Sequence, residues 1–242
     1  MMEEMTGKSN GFVRVLLAIG LVLLILAAVI TSIEYCAKDS GWLMKEYERL
    51  DINDYTGMSN EDMTLAFMTM VDFVTSKSGS ISVKVNCFGE EVEMYNETEV
   101  AHLYDVRNLY TGVMWARACC ISVAIIGIAV FMIVEKHDRF RHLSKTYLIC
   151  FAAVTGFFVL LAAWALVDFR SFWYVFHAVF LNIEGSTFDP DVSRMTRICP
   201  ERLFLDMCMR ICAIAFGICL IAAAAAIVYL CVCSKDKKVN YK

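Results

Sequence analysis

Four long apolar runs dominate the pattern of hydrophobic and polar positions along the chain. They cover residues 13–33, 113–134, 146–167 and 209–233. The hydrocarbon core of a bilayer is about 30 Å thick, so a helical crossing needs about 20 consecutive apolar residues. Each run reaches that length, and the pattern therefore predicts a bundle of four transmembrane helices.

The first polar segment, residues 34–112, contains two helix-start signals. Ser59 stands three residues before Asp62, and apolar residues follow at helical spacing: Met63, Phe67, Met70 and Val74. Asn96 stands three residues before Glu99 as a second capping box, and the residues after it predict a helix that continues toward the second crossing.

Between these two predicted helices the polarity alternates as it does in a strand. Ile81, Val83 and Val85 alternate with polar residues, and the alternation resumes over residues 91–95 after Phe88-Gly89-Glu90. This pattern predicts a β-hairpin. Together with the helices, it makes residues 34–112 a small α+β cap domain.

The second polar segment, residues 168–208, opens with an apolar helical stripe. The stripe consists of Phe172, Phe176, Val179, Phe180 and Ile183. A helix with such a stripe next to a crossing is expected to lie in the membrane interface. Pro190 and Pro200 follow, and the chain between them must turn.

Composition and charge place the chain in a membrane and orient it. It is 59% hydrophobic and 20% charged, with a mean hydropathy of +0.57, which excludes an ordinary soluble domain and a disordered chain. Lys and Arg concentrate in residues 135–145 and in the tail after residue 233, whereas residues 34–112 hold 15 acidic and six basic residues. Short cationic loops stay in the cytoplasm. We therefore expect both termini inside, and the lack of a basic face argues against nucleic acid as a partner.

The predicted organisation has seven parts. They are a cytoplasmic N-terminus with the first crossing (1–33), the extracytoplasmic cap (34–112), the second crossing (113–134), a basic cytoplasmic loop (135–145), the third crossing (146–167), an extracytoplasmic interfacial helix and loop (168–208), and the fourth crossing with a basic cytoplasmic tail (209–242). The first run is longer than the apolar core of a signal peptide, so we expect it to remain as a crossing.

The eleven cysteines indicate neither a metal site nor a particular disulfide. Seven of them lie in apolar segments, where a thiol behaves as a small hydrophobic group. No C-x-x-C pair occurs, and the spacing of the four outer cysteines distinguishes no partners. We expect no metal and no soluble cofactor.

The strongest chemical candidates are two histidines, His102 and His177, which both fall near the outer headgroup level. Histidine can give and take protons near neutral pH. Glu99 lies three residues before His102 and Asp105 three residues after it, so either carboxylate could hold the His102 ring in one tautomer. Interfacial histidines can equally be structural, and the two carboxylates can equally belong to a cap or a solvated face.

Two arginines add candidate contact residues, and missing motifs exclude several enzyme classes. Arg117 and Arg210 lie just inside the outer ends of their predicted crossings, where they either face a polar cavity or extend to the headgroups. The signatures of serine hydrolases, zinc proteases and nucleotide-binding enzymes are absent from the sequence.

Four short motifs give the chain a family resemblance. They are E-x-x-H-L-x-D-V at 99–106, F-H-x-x-F at 176–180, FDP at 188–190, and C-P-E-x-x-F-x-D at 199–206. The chain resembles the bacterial family of integral membrane proteins that includes lipoprotein intramolecular transacylase. The resemblance covers the whole chain and implies that His102 and His177 are catalytic.

The resemblance also implies a reaction and a location. An acyl chain would move from the sn-2 ester of a diacylglyceryl-modified bacterial lipoprotein to the α-amine of its N-terminal cysteine, at the extracytoplasmic face of the bacterial plasma membrane. His102 would act as the base, supported by Asp105 or Glu99, and His177 as the acid, or the reverse. Arg107, Arg117 or Arg210 would contact an oxyanion or a lipid headgroup.

Two other functions stay open at this point. A non-catalytic membrane scaffold or accessory protein predicts histidines that point apart. An acyltransferase or lipase acting on phospholipid keeps the same site and uses another ester.

Overall fold

The computed structural model describes residues 2–76, 80–181 and 189–239. It contains nine helices and two strands within those ranges. They are α1 (Met2–Ala37), α2 (Ser40–Leu50), α3 (Asn53–Thr56), α4 (Asn60–Thr75), β1 (Lys84–Cys87), β2 (Glu90–Glu93), α5 (Glu97–Val134), α6 (Arg139–Val167), α7 (Phe169–Phe180), α8 (Arg194–Ile198) and α9 (Glu201–Val239).

Four of these helices, α1, α5, α6 and α9, are long and apolar enough to cross a membrane. Each contains one of the four predicted crossings. The chain divides into two units: residues 1–32, 115–161 and 211–242 form the bundle unit, and residues 33–114 and 162–210 form the α+β unit. The predicted class, a four-helix membrane bundle with a small α+β cap, is confirmed.

In the bundle unit, α1 is the central helix. Its most apolar stretch is 39% buried, against 17% in each of the other three helices. One face of α1, with Val13, Leu17, Leu21 and Ile25 spaced four residues apart, forms the core. Side chains of the other three helices complete that core: Phe131, Cys150, Val154 and Cys219. Because the other helices expose most of their apolar surface, they are the ones suited to face lipid.

Glycines allow α1 and α5 to pack closely. A Cβ on Gly20 would lie 3.2 Å from the Cα of Ala124, and a Cβ on Gly127 would lie 3.1 Å from the carbonyl oxygen of Leu16. In lipid there is no hydrophobic drive between helices, so association depends on close packing of small residues of this kind.

The α+β unit contains the predicted helices and the predicted hairpin. Ser59 caps α4 by accepting a hydrogen bond from the Asp62 N–H. Strands β1 and β2 pair antiparallel, with Val85 opposite Val92. Phe88 and Gly89, at the turn, both have positive φ, which matches the tight turns that join hairpin strands.

Three helices of this unit, α2, α3 and α8, were not predicted from the sequence. Helix α2 begins after Asp39, whose side chain accepts from the Trp42 N–H, and buries Leu43, Glu46 and Tyr47. Its end at Asp51 is left-handed without a glycine. Helix α3 has only four residues and no side-chain cap. Asp39 before α2 and the left-handed Gly57 after α3 are helix-boundary signals, but the helices between such signals are too short to show a clear apolar period.

A helix, α7, forms where the interfacial helix was predicted, and its apolar stripe is more buried at its start than at its end. Phe172 and Phe176 are half-buried, whereas Val179 and Phe180 are exposed. Ile183 and the FDP residue Phe188 lie outside the described residues. Between the two prolines the chain turns and forms the short helix α8.

Replacing Gly127 by leucine is expected to destabilise the bundle. The new side chain would meet the Leu16 backbone and force α1 away from α5, an overpacking cost of about 1–3 kcal/mol. The measurement is the Tm in detergent. Gly156→Leu is the matched control, since a Cβ there meets nothing within 4 Å and both changes gain the same helix propensity. Equal Tm shifts in the two variants would contradict the close α1–α5 packing.

Candidate active site

The two candidate histidines lie next to each other in the α+β unit. His102 is in α5 and His177 is in α7, and both are half-buried. Their ring centroids are 6.0 Å apart and the ring planes differ by 15°. The fold therefore brings together two proton-transferring groups that are far apart in the sequence.

A backbone hydrogen bond fixes the tautomer of His177. Its Nδ1 lies 2.9 Å from the carbonyl oxygen of Trp173, one turn earlier in α7. A carbonyl oxygen can only accept, so Nδ1 carries the proton and donates it. In the neutral ring, Nε2 then holds the lone pair and is the atom able to take a proton.

Aromatic side chains surround His177. The Trp173 ring lies 4.6 Å from the His177 ring and 4.5 Å from the ring of Phe204, at the start of α9. Phe176 contacts His177 edge-on at 5.6 Å. These rings hold the imidazole in place and exclude water from one side of it, which strengthens electrostatic interactions nearby.

The helix turn before His102 is anchored by Glu99, which is only 1% exposed. The Asn96 N–H donates to Glu99 Oε2 at 2.8 Å, and the Glu99 N–H donates to Asn96 Oδ1 at 2.9 Å, so the predicted capping box is confirmed. The other oxygen, Oε1, accepts from the Ser193 hydroxyl at 2.5 Å and from the Met195 N–H at 3.1 Å. Glu99 thus connects the start of α5 to α8.

Ser193 was missed in the sequence analysis. Its side chain caps α8 by accepting from the Thr196 N–H at 3.1 Å, besides donating to Glu99. The signal available in the sequence was a serine at the start of a short segment before Pro200. Nothing in the sequence connected that serine to Glu99.

Asp105 and Arg107 occupy the next turn of α5. Asp105 is exposed, three residues after His102. The Arg107 guanidinium lies 5.0 Å from the centre of the Phe73 ring in α4, a cation–π contact. Arg107 therefore contacts the cap helix through this ring.

Arg210 pairs with Asp39 just before α2. Its Nη2 donates to Asp39 Oδ2, and the guanidinium lies 4.9 Å from the Trp42 ring and 5.9 Å from the Tyr35 ring. The hydrogen bond from Arg210, aided by the Trp42 N–H, holds the pKa of Asp39 below its usual value. Arg210 Nη1 is buried and has no hydrogen-bond partner within the described ranges.

Arg117 lies further along α5, in the bundle unit, and is half-buried. The sequence-predicted arginines therefore occupy different surroundings. Arg107 stacks on a phenylalanine, Arg210 pairs with a carboxylate, and Arg117 belongs to a membrane-crossing stretch.

The cysteines do not form a reactive centre in the part of the chain that is described. All eleven fall in that part and are free thiols. Burial, together with the nearby negative charge of Glu99, raises the pKa of Cys199 to about 12, which keeps it protonated and poorly nucleophilic. Among the described residues, no group of three His, Cys, Asp or Glu side chains is arranged to hold a metal ion.

Solved structures of one bacterial protein share this fold. The membrane integral lipoprotein intramolecular transacylase Lit from Bacillus cereus matches with a TM-score of 0.71 and 14% identity, over 96% of this chain and 99% of that chain. A form with a histidine-to-alanine substitution matches with a TM-score of 0.71 and 14% identity, over 99% and 100% of the two chains. At this identity the likeness shows a shared fold.

Comparison of the sequence itself gives the family. Among curated proteins, the search finds no significant match. A family model described as "Lipoprotein intramolecular transacylase Lit" matches residues 18–204, which is most of the chain. Together with the four apolar helices, this match makes the chain a multi-pass membrane protein. The chain belongs to the lipoprotein intramolecular transacylase (Lit) family.

Proposed function

We propose that this protein moves the sn-2 acyl chain of a diacylglyceryl lipoprotein to the α-amine of the lipoprotein's N-terminal cysteine. Family membership supports acyl transfer within a lipoprotein. The observation that carries the proposal is the pair of nearly parallel imidazole rings of His102 in α5 and His177 in α7, whose centroids are 6.0 Å apart.

The reaction requires two proton transfers away from nitrogen. An α-amine has a pKa of about 8, so at neutral pH the cysteine nitrogen starts mostly as an ammonium and loses one proton before it can attack. The nitrogen then bonds to the ester carbonyl carbon and loses a second proton. The bond from that carbon to the glyceryl oxygen breaks, and the oxygen takes up one proton. One proton is released overall, and the products are an amide and a free hydroxyl.

Two histidines suit these two transfers. We assign the first proton, from the ammonium, to His102 as base. His177 begins with a lone pair on Nε2, so it can take the second proton and return it to the glyceryl oxygen as an acid. The Trp173 carbonyl would stabilise the charged His177 ring in between through the Nδ1–H hydrogen bond.

The remaining candidate residues support this chemistry from outside the pair. We expect Glu99 and Asp105 to act on the placement or charge of His102. Arg210, which has a buried donor beyond its Asp39 pair, is the better candidate for an oxyanion or headgroup contact, with Arg107 and Arg117 as further candidates. Donor and acceptor belong to one molecule, so holding them together supplies much of the rate enhancement.

We place the site at the extracytoplasmic face of the bacterial plasma membrane, with both termini in the cytoplasm. Lys136 between α5 and α6, with Arg139, Arg141 and Lys145 in the first turns of α6, supports this orientation, because Lys and Arg near the ends of crossings are retained inside. Partners would be diacylglyceryl-modified bacterial lipoproteins and membrane lipid, and no basic face favours nucleic acid.

Two alternatives differ from this proposal in distinct ways. A non-catalytic scaffold requires no contact between His102 and His177, whereas the rings lie side by side. A phospholipid acyltransferase or lipase would use the same pair of histidines on another ester. Only the identity of the products separates this second alternative from lipoprotein acyl transfer.

Co-expression with a lipoprotein tests the reaction directly. In a host that lacks its own N-acylating enzymes, we expect mass spectrometry of the lipoprotein's N-terminal peptide to find one acyl group moved from glycerol to nitrogen, with the total mass unchanged. An unmoved acyl group, with the protein folded and inserted, would contradict the proposal. Lysophospholipid formed without lipoprotein would favour the phospholipid alternative.

Removing either histidine tests the mechanism. His102→Ala and His177→Ala are each expected to slow N-acylation by at least about 100-fold, since each removes a positioned proton carrier. The same mass-spectrometric assay measures the loss. His137→Ala is the matched control, because His137 is exposed between α5 and α6 and should keep full activity. Full activity of either site variant would refute the two-histidine mechanism.

A further inference from the structure

We infer that Glu99 and Ser193 form a positioning pair for the active site, one that fixes the second outer segment against the helix turn carrying His102. The inference rests on the proposed function and assigns to Ser193 a role in it. Glu99 would act through α8, and neither residue would exchange a proton with substrate.

The burial of Glu99 is the first observation. Its side chain is among the most buried polar groups in the described part of the chain, at 1% exposure, and both oxygens accept hydrogen bonds. A carboxylate is costly to bury unless its oxygens are satisfied. Here the Asn96 and Met195 N–H groups and the Ser193 hydroxyl satisfy them, so the site is built to hold this group in one place.

The direction of the hydrogen bonds is the second observation. A hydroxyl has one proton, and because the Glu99 carboxylate only accepts, the Ser193 proton points to Glu99. In the 2.9 Å contact between Ser193 and Thr196, the Thr196 hydroxyl is therefore the donor. The chain Thr196 to Ser193 to Glu99 runs in one direction, an arrangement in which neighbouring hydrogen bonds strengthen one another.

The location of the pair is the third observation. Glu99 and His102 are three residues apart in α5 and so share a face of that helix. Ser193 begins α8, which is also held by the Tyr47 hydroxyl on the Ile198 carbonyl and by Arg194 on the Glu93 carbonyl. Of these three attachments, the one through Glu99 lies one turn from the catalytic candidate.

The polarity of the attachment indicates a function beyond stability. An apolar contact of the same size would stabilise the unit about as well, because the hydrogen bonds of a buried polar group gain little more free energy than its desolvation costs. A carboxylate with three fixed donors, however, accepts only one placement of α8. This requirement suits a site where a misplacement of about 1 Å can slow the reaction by about 100-fold.

The test compares two serine caps in the same unit. Ser193→Ala removes the hydroxyl that reaches Glu99, whereas Ser59→Ala removes the equivalent cap of α4, whose hydroxyl is hydrogen-bonded to Asp62. Both should lower the Tm, Ser193→Ala by more because it also leaves the buried Glu99 carboxylate short of one donor, so turnover is compared well below both Tm values. Turnover at saturating lipopeptide should fall by about 10-fold to 100-fold in Ser193→Ala alone. Ser193→Thr, which keeps a hydroxyl, should restore it.

A double variant checks that the two residues act as one unit. Glu99→Leu combined with Ser193→Ala should be no slower than the slower single variant, because the leucine side chain offers the Ser193 hydroxyl no acceptor and the second change then removes a contact already lost. Losses that multiply would overturn the pair. So would full turnover in Ser193→Ala.

Hydrogen exchange gives a measurement independent of activity. The Met195 N–H donates to Glu99, so Glu99→Leu, which removes that acceptor, and Ser193→Ala should speed exchange in the peptide containing α8, and Ser59→Ala should not. Unchanged exchange in both variants would overturn the positioning pair whatever the enzyme does. If the wild-type protein moves no acyl group but hydrogen exchange in α8 is still faster in the variants, the proposed function is refuted and the hydrogen-bonded attachment is not.

Discussion

A bilayer offers no hydrogen-bond partners to a polypeptide backbone, and the rest of this structure depends on that constraint. Every crossing must satisfy its own N–H and C=O groups, so the four apolar runs fold as the continuous helices α1, α5, α6 and α9. The candidate histidines lie in the α+β unit, where helix ends, loops and a hairpin supply side chains and free backbone groups. His102, the sixth residue of a 38-residue helix, belongs to a rigid element.

Within the α+β unit, exposed and buried charged groups affect stability very differently. Lys84 and Glu91 pair at the hairpin surface with most of both side chains exposed, so water and salt screen their attraction. The Glu99 carboxylate is buried, so its effect on the stability of the unit depends far more on the hydrogen-bond donors around it than on its charge alone. Loss of one donor would leave a buried acceptor unsatisfied, and that cost does not depend on salt.

Local patterns predicted much of the fold. The four crossings, the Ser59 and Asn96 helix starts and the hairpin turn at Gly89 all depend on residues within a few positions of each other, so a single sequence contains their signals. The contacts that complete the site join residues far apart, such as Ser193 with Glu99 and Arg210 with Asp39. No local pattern specifies such pairs, because they arise only when the helices pack.

The orientation of His177 depends on a contact that the sequence analysis did not consider. That analysis looked for a carboxylate, Glu99 or Asp105, to orient His102 and named no partner for His177. In α7 the carbonyl of Trp173, one turn earlier, orients His177 instead. A neutral acceptor fixes the tautomer without adding negative charge. Because acyl transfer builds negative charge on the ester oxygen, a second carboxylate beside the reacting carbonyl would oppose the transition state, and a backbone carbonyl opposes it far less.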